Sequence, residues 1–484
     1  MLLRLGVLVA LCCPALLSAQ AEPQAERIAR VEQGLRHPVE VMGRAEVRFS
    51  LEERMAAFNV PGVSIAVLDS GRIVWAKGYG VKQAGGSDSV TTETLFQAAS
   101  ISKPVSVFGL LRMVEAGRLD LDANVNRSLT SWKVPENRFT RREDVTLRRI
   151  VSHSAGLTIH GFPGYDVNAP LPSLPNILDG MPPANTGRVE ADTFPGALWR
   201  YSGGGITVMQ MLMMDVSGQP FDQLMSELVL DPVGGGMSHS TFSQPLSPQR
   251  AGEAASAHRR DGSVISGKWH VYPEQAAAGL WTTPSDLARL AIEVRNAYEG
   301  QSSLLSRAMA REMLRRQMGQ SGLGFMVGGS GAAFRYHHGG SNEGFRCQFV
   351  AFLEDGRGAV IMTNGDAGQE LIQEILLSIA DEYDWPAVEQ RRVNPVLLTS
   401  SLMEATAGEY RFGPGAGVVV KLVIDGGRLY MESPGVVTKT ELIPTDDRTF
   451  VALGSGQELQ VDRNGNTGRA TALVVTGARA IRVR

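Results

Sequence analysis

Two pairs of strand-like runs bracket a helical middle, and that arrangement constrains the fold more than any other feature. Residues 63–68 (VSIAVL) and 73–79 (IVWAKGY) are rich in β-branched and aromatic side chains. Asp69-Ser70-Gly71-Arg72 divides them and reads as a hairpin. Residues 345–353 and 358–363 repeat the pattern around Glu354-Asp355-Gly356, so strands lie near both ends of the region 50–365. Between them, Ser100 to Ala116 carries apolar residues at helical spacing, with Gly117 as the stop. Thr283-Pro284-Ser285-Asp286 reads as a helix start, with Thr283 capping, Pro284 in the first turn and Asp286 completing a capping box. Residues 369–383 form a further helix, followed by a stretch containing Pro386 and Pro395.

Beyond about residue 400 the texture changes. Seven short strand-like runs recur, at 408–412, 418–424, 428–432, 449–453, 458–462, 470–475 and 480–483, divided by turns such as Asp425-Gly426-Gly427. They predict a small all-β barrel or sandwich of about 80 residues with no motif of chemistry in it. Proline-rich residues 155–200 read as a long loop, and long loops inside a domain often form functional walls or lids. At the N-terminus, Arg4, an apolar run from Leu5 to Leu17 and Ala19-Gln20-Ala21 make a secretory signal peptide, removed with Cys12 and Cys13. The expected division is signal 1–21, catalytic region 22–385, linker 386–400 and β-module 401–484. The expected location is outside the cytoplasm, in the periplasm, with no membrane anchor after cleavage. Cys347 then stands alone, in the alternating Phe-Arg-Cys-Gln-Phe, and reads as a small packed residue. Lys+Arg of 47 against Asp+Glu of 50 argues against a nucleic-acid partner, which calls for a basic excess.

Chemistry is concentrated in three places. In Ser100-Ile101-Ser102-Lys103 the i, i+3 spacing brings hydroxyl and amine to one helix face. A serine needs an adjacent base to become a nucleophile, and a lysine serves only if burial lowers its pKa. Phe96, Ala98, Ala99 and Ile101 offer apolar surroundings, and the amides at a helix start can stabilise an oxyanion. With 36 serines and 7 lysines, chance alone yields about half a match to this spacing, so the motif is weak by itself. Tyr201 follows in Trp199-Arg200-Tyr201-Ser202-Gly203, and His338-Gly339-Gly340 lies on the strand side. A tyrosine near a cationic lysine can relay a proton, and two glycines on a strand edge admit a substrate backbone.

In these motifs the chain resembles the serine β-lactamase and penicillin-binding protein superfamily, in its class C and related esterase branch. Ser100 to Lys103 matches the S-x-x-K element, Tyr201 the first residue of Y-x-N, and His338-Gly339-Gly340 the strand element usually written K-T-G. Residues 61–80, 147–157 (LRRIVSHSAGL) and 278–287 (AGLWTTPSDL) agree, and the likeness runs over about residues 45–380. The resemblance implies an α+β fold, an antiparallel sheet flanked by helices with a helical subdomain carrying Tyr201. It further implies that Ser100 forms an acyl-enzyme, that Lys103 and Tyr201 share the general base, and that backbone amides of Ser100 and Ser341 form the oxyanion hole. His338 would act as a hydrogen-bond donor near Tyr201. No cofactor is implied.

Two departures bear on substrate. Gly203 stands where the family often has Asn, and His338 where lactamases have Lys, so a side-chain amide and a fixed positive charge are both missing. There is no E-x-x-L-N element. The reading is a secreted serine hydrolase for a small-molecule or short peptide substrate, an ester or amide. A β-lactamase, a D-alanyl-D-alanine carboxypeptidase and a binding protein that acylates and stalls are the alternatives. His153, in Ser152-His153-Ser154, reads as a loop-fixing residue. His337, adjacent to His338 on a strand, points to the opposite face, so no metal site is expected. Trp281 and Tyr165 either line the site or pack.

Overall fold

The computed structural model describes residues 23–413, 417–433 and 435–483. The signal-peptide expectation, with Cys12 and Cys13, falls outside them. Among the described residues no helix is long and apolar enough to cross a membrane.

The centre is a six-stranded sheet, antiparallel throughout, in the order Arg72–Gly80, Gly62–Asp69, Gly358–Thr363, Phe345–Phe352, Arg335–Asn342, Met326–Gly328. The first hairpin is set by Ser70 (φ 52°) and Gly71 (φ 70°), the left-handed pair that a tight two-residue turn needs. Alternation along Gly62–Asp69 assigns its side chains to two cores. Val63, Ile65 and Val67 face the helices Gln24–Gln33, Leu51–Ala57 and Gly368–Glu382. Ala66 and Leu68 face the helix Pro284–Glu299 and the helical subdomain that occupies the middle of the chain. Each fully buried Val, Leu, Ile or Phe contributes roughly 1.5–3 kcal/mol. The sheet is therefore a rigid plate stabilised from both sides.

Local expectations hold with adjustments. Thr283 caps the helix Pro284–Glu299 through the Asp286 amide at 3.2 Å. The Asp286 carboxylate does not close the box; it accepts from the His239 amide and the Ser240 hydroxyl instead and pairs with Arg289. The segment 155–200 is largely irregular but includes a helix, Leu174–Asp179, and a strand, Tyr165–Asp166, paired with His270–Val271.

The C-terminal strands close into an eight-stranded barrel around Tyr410, Leu422, Phe450 and Leu473. The strand missing from the sequence reading is Val437–Pro444, whose run of Thr-Lys-Thr-Glu and terminal proline hides its β character. Val39–Val41 pairs in parallel with Arg391–Val393, and Val39, Val41 and Val393 pack on Ile443 and Val451 of the barrel. Arg44 Nη1 donates to both Glu441 carboxylate oxygens, at 2.8 and 3.0 Å.

Candidate active site

The nucleophile segment is held in place before any catalytic side chain is considered. Phe96–Gln97 pairs with Trp281–Thr282, and the Ala98 amide donates to the Leu280 carbonyl at 2.8 Å. The Cys347 thiol, fully buried, lies 3.0 Å from the Ala98 carbonyl, and the Ser102 hydroxyl accepts from the Leu280 amide at 3.0 Å. Ala99 then takes a left-handed conformation (φ 49°), which costs an alanine about 1–3 kcal/mol. That turn places Ser100 in a 3₁₀ turn, Ala99–Ile101, directly ahead of the helix Ser102–Glu115. Ser100 thus lies two residues ahead of the α-helix expected to begin with it, and it stays partly exposed while its neighbours are buried.

Lys103 lies beneath it. Its ammonium group sits 3.0 Å from the Ser100 hydroxyl and 2.8 Å from the Ala277 carbonyl, and the side chain is almost wholly buried. Burial lowers its pKa to about 7, the condition for a lysine to act as a base. Tyr201 approaches from the helical subdomain, its ring centroid 4.9 Å from the Lys103 nitrogen. Burial raises the phenol well above its ordinary value, offset only in part by a hydrogen bond with the Ser100 side chain. The phenol is therefore protonated at neutral pH.

The strand Arg335–Asn342 supplies the third wall. Met326–Gly328 pairs only with residues 335–337, so from His338 onward that edge is open towards Ser100. Asn342 ties the end of the strand to the Gln97 side chain at 2.8 Å and the Ala278 carbonyl at 3.1 Å. Gly340 is required by the nucleophile segment rather than by a substrate: a Cβ there would lie 2.3 Å from both the Ala98 carbonyl and the Cys347 sulfur. At Gly339 the nearest atom is the Gln348 side-chain oxygen at 3.3 Å. Ser341 is exposed on the open edge, opposite Arg346.

His338 faces Tyr201, with ring centroids 6.1 Å apart, but not as the donor expected. Its Nδ1 lies 2.6 Å from the Gly339 carbonyl and must carry the proton, and burial with Lys103 nearby holds the ring neutral, its pKa pushed down to about 3. Nε2 therefore presents a lone pair, buried and unpartnered among the described residues. Gly203 begins the helix Gly203–Ser217, where a Cβ would meet the Phe162 ring at 2.9 Å and the His160 carbonyl at 3.1 Å, so no asparagine fits as packed.

Sequence reasoning gave His153 only a loop-fixing role, yet its ring stacks on Tyr201 at 4.2 Å. Trp281 is fully buried against Trp269 and Phe345 and packs rather than lines the site. Tyr165 is buried too, its hydroxyl accepting from the Asn185 amide. Among the described residues no three His, Cys, Asp or Glu side chains converge as a metal ion would require.

A partly exposed hydroxyl, a buried amine poised near neutrality and a protonated phenol converge beside an open strand edge. Comparison with known proteins places the fold and the family. The family profile described as Beta-lactamase matches residues 50–381, more than half of the chain. Penicillin-binding protein 4* of Bacillus subtilis is 20% identical over 447 residues, 87% of this chain and 94% of that protein. Protein flp of Staphylococcus aureus (strain MW2) is 23% identical over 237 residues, 49% of this chain and 44% of that protein, so the match spans less than half of flp. Among solved structures, the octameric penicillin-binding protein homologue from Pyrococcus abyssi superposes with a TM-score of 0.54 at 19% identity, covering 89% of this chain and 98% of the other. The D-amino acid amidase from Ochrobactrum anthropi SV3 gives 0.53 at 19%, covering 68% and 96%.

Proposed function

Because the chain belongs to the beta-lactamase family, we propose that it is a secreted serine hydrolase that cleaves an ester or amide through an acyl-enzyme on Ser100. The observation that carries this reading is the 3.0 Å contact between the Ser100 hydroxyl and a Lys103 amine whose pKa burial lowers to about 7. Near neutral pH a substantial fraction of Lys103 is the free amine, which accepts the Ser100 proton as the oxygen attacks the substrate carbonyl. Backbone amides of Ser100 and Ser341 receive the developing oxyanion. The Tyr201 hydroxyl donates its proton to the leaving group and recovers one from the Lys103 ammonium. Water, activated through the same pair, then releases the acyl group. The division of labour follows from electrostatics: Lys103 is the base, and Tyr201, buried and neutral, is the proton donor.

Neutral His338 and the packed space at Gly203 favour a substrate without a carboxylate beside the scissile bond. Secretion rests on residues 1–21, which carry the features of a signal peptide. A D-peptide or β-lactam substrate is the second reading, favoured by the names of the similar proteins, a penicillin-binding protein and a D-amino acid amidase. Parallel assays with a p-nitrophenyl ester, a D-Ala-D-Ala peptide and nitrocefin, with Ser100→Ala as control, decide between them. The ester is expected to turn over and Ser100→Ala to be inert and unlabelled by a fluorophosphonate. Labelling or turnover that persists in Ser100→Ala overturns the nucleophile.

A further inference from the structure

Resting on the Ser100 hydrolase reading, we infer that His153 is the positioning residue for Tyr201, gripping the tyrosine segment at four consecutive residues. The Trp199 ring meets the His153 ring edge-on, centroids 6.4 Å apart and planes at 89°. The Arg200 amide donates to the His153 carbonyl at 2.7 Å. The Tyr201 ring lies against the imidazole at 4.2 Å and 36°. The Ser202 amide donates to His153 Nδ1 at 3.2 Å.

The grip has a rigid base. His153 holds a left-handed backbone (φ 58°), which turns its carbonyl and ring towards the same segment. The Ser154 amide donates to the Arg149 carbonyl at 2.7 Å, and Ser152 and Ser154 share a hydrogen bond at 3.0 Å. Beyond Ser202, the Gly203 and Gly204 amides donate to the carbonyls of His160 and Ile159, each at 3.0 Å, continuing the zipper into the helix that Tyr201 precedes. The accepted bond at Nδ1 also fixes the tautomer, because a ring nitrogen that accepts carries no proton. His153 is thus an Nε2–H imidazole, and His338 across the phenol is an Nδ1–H imidazole. Both rings are neutral beside Lys103, held so by burial and by its charge. The His153 and His338 rings thus add no positive charge beside Tyr201, and the His160 ring completes its surroundings, with centroids 5.0 Å apart.

The test is a double-mutant cycle on p-nitrophenyl ester hydrolysis in the full chain. His153→Phe keeps a ring but removes the acceptor; His153→Asn keeps an acceptor but removes the ring. Each is expected to lower kcat roughly tenfold or more while KM changes less than about twofold. In the Tyr201→Phe background the same changes are expected to cost less than about twofold, because the residue they position is already disabled. An equal loss in both backgrounds, or an unchanged kcat in the single variants, overturns the inference. Should neither variant fold, nitrogen-15 spectra of histidine-labelled wild type decide. One ring is expected to stay an Nε2–H tautomer from about pH 5 to 8 and to shift when a fluorophosphonate phosphonylates Ser100 with loss of fluoride; absence of that ring overturns the inference. Turnover retained in Ser100→Ala would instead sink the hydrolase reading itself.

Discussion

The cleft strand Arg335–Asn342 and the C-terminal barrel are both antiparallel β structure, yet they treat their edges in opposite ways. In the sheet, pairing with Met326–Gly328 stops at His337, so the following residues pair with Phe345–Phe352 on one side and leave the other edge open beside Ser100. In the barrel, Gly408–Phe412 pairs with both Val419–Asp425 and Ala478–Arg482, so closure leaves no edge. An open edge is a liability unless something covers it, and here it borders the nucleophile, where an extended substrate can lie. The barrel spends its outward-facing apolar residues, Ile443 and Val451, on docking to the sheet domain. The difference teaches that the cleft strand keeps backbone groups available beside the nucleophile, while the barrel's closure leaves none.

Four measurements break or sharpen this contrast. Tyr201→Phe removes the proton donor and is expected to lower kcat by about 10²-fold or more on the ester substrate. An unchanged rate removes Tyr201 from the chemistry. Next comes pH. Lys103 must be unprotonated to act, so kcat/KM should rise with pH and level off above about 7, falling roughly tenfold per unit below that. A profile flat between about pH 5 and 8 would show that another group is the base. Lys103→Arg, permanently charged, should abolish the rise together with the activity. The smallest effect on catalysis is expected from Ile443→Ala at the barrel contact. It should cost about 2–4 kcal/mol of stability in denaturant unfolding but leave kcat/KM per folded molecule within about twofold. A large fall in kcat/KM would mean that the barrel takes part in the cleft.

Legibility in the sequence followed the range of the interactions involved. The hairpin at Ser70-Gly71 and the Thr283 cap were visible because turns and caps depend on a few adjacent residues. Seven of the eight barrel strands were visible, and Val437–Pro444 was not, because its polar side chains belong to a strand made by its neighbours rather than by its own pattern. Asp286 was placed as a helix cap, but its carboxylate was captured by His239 and Ser240, distant in sequence. The polarity of His338 was misjudged because a carbonyl 2.6 Å from Nδ1 chooses the tautomer, and no motif records that contact. His153 was noticed only as a loop residue, since its partners at Trp199 to Ser202 are brought to it by the fold.

By itself the sequence determined the kinds of groups available, a serine and lysine at helical spacing, a tyrosine and a histidine on a glycine-rich strand, together with the β-rich ends that form the sheet. Tertiary structure alone decided their states. It buried Lys103 until its amine became a base near neutrality, kept the Tyr201 phenol protonated, and held the His338 ring neutral beside Lys103. The physical reason is that spacing along the chain governs which groups can meet. Desolvation and neighbouring charge, which set proton affinity here, come from segments far apart in sequence.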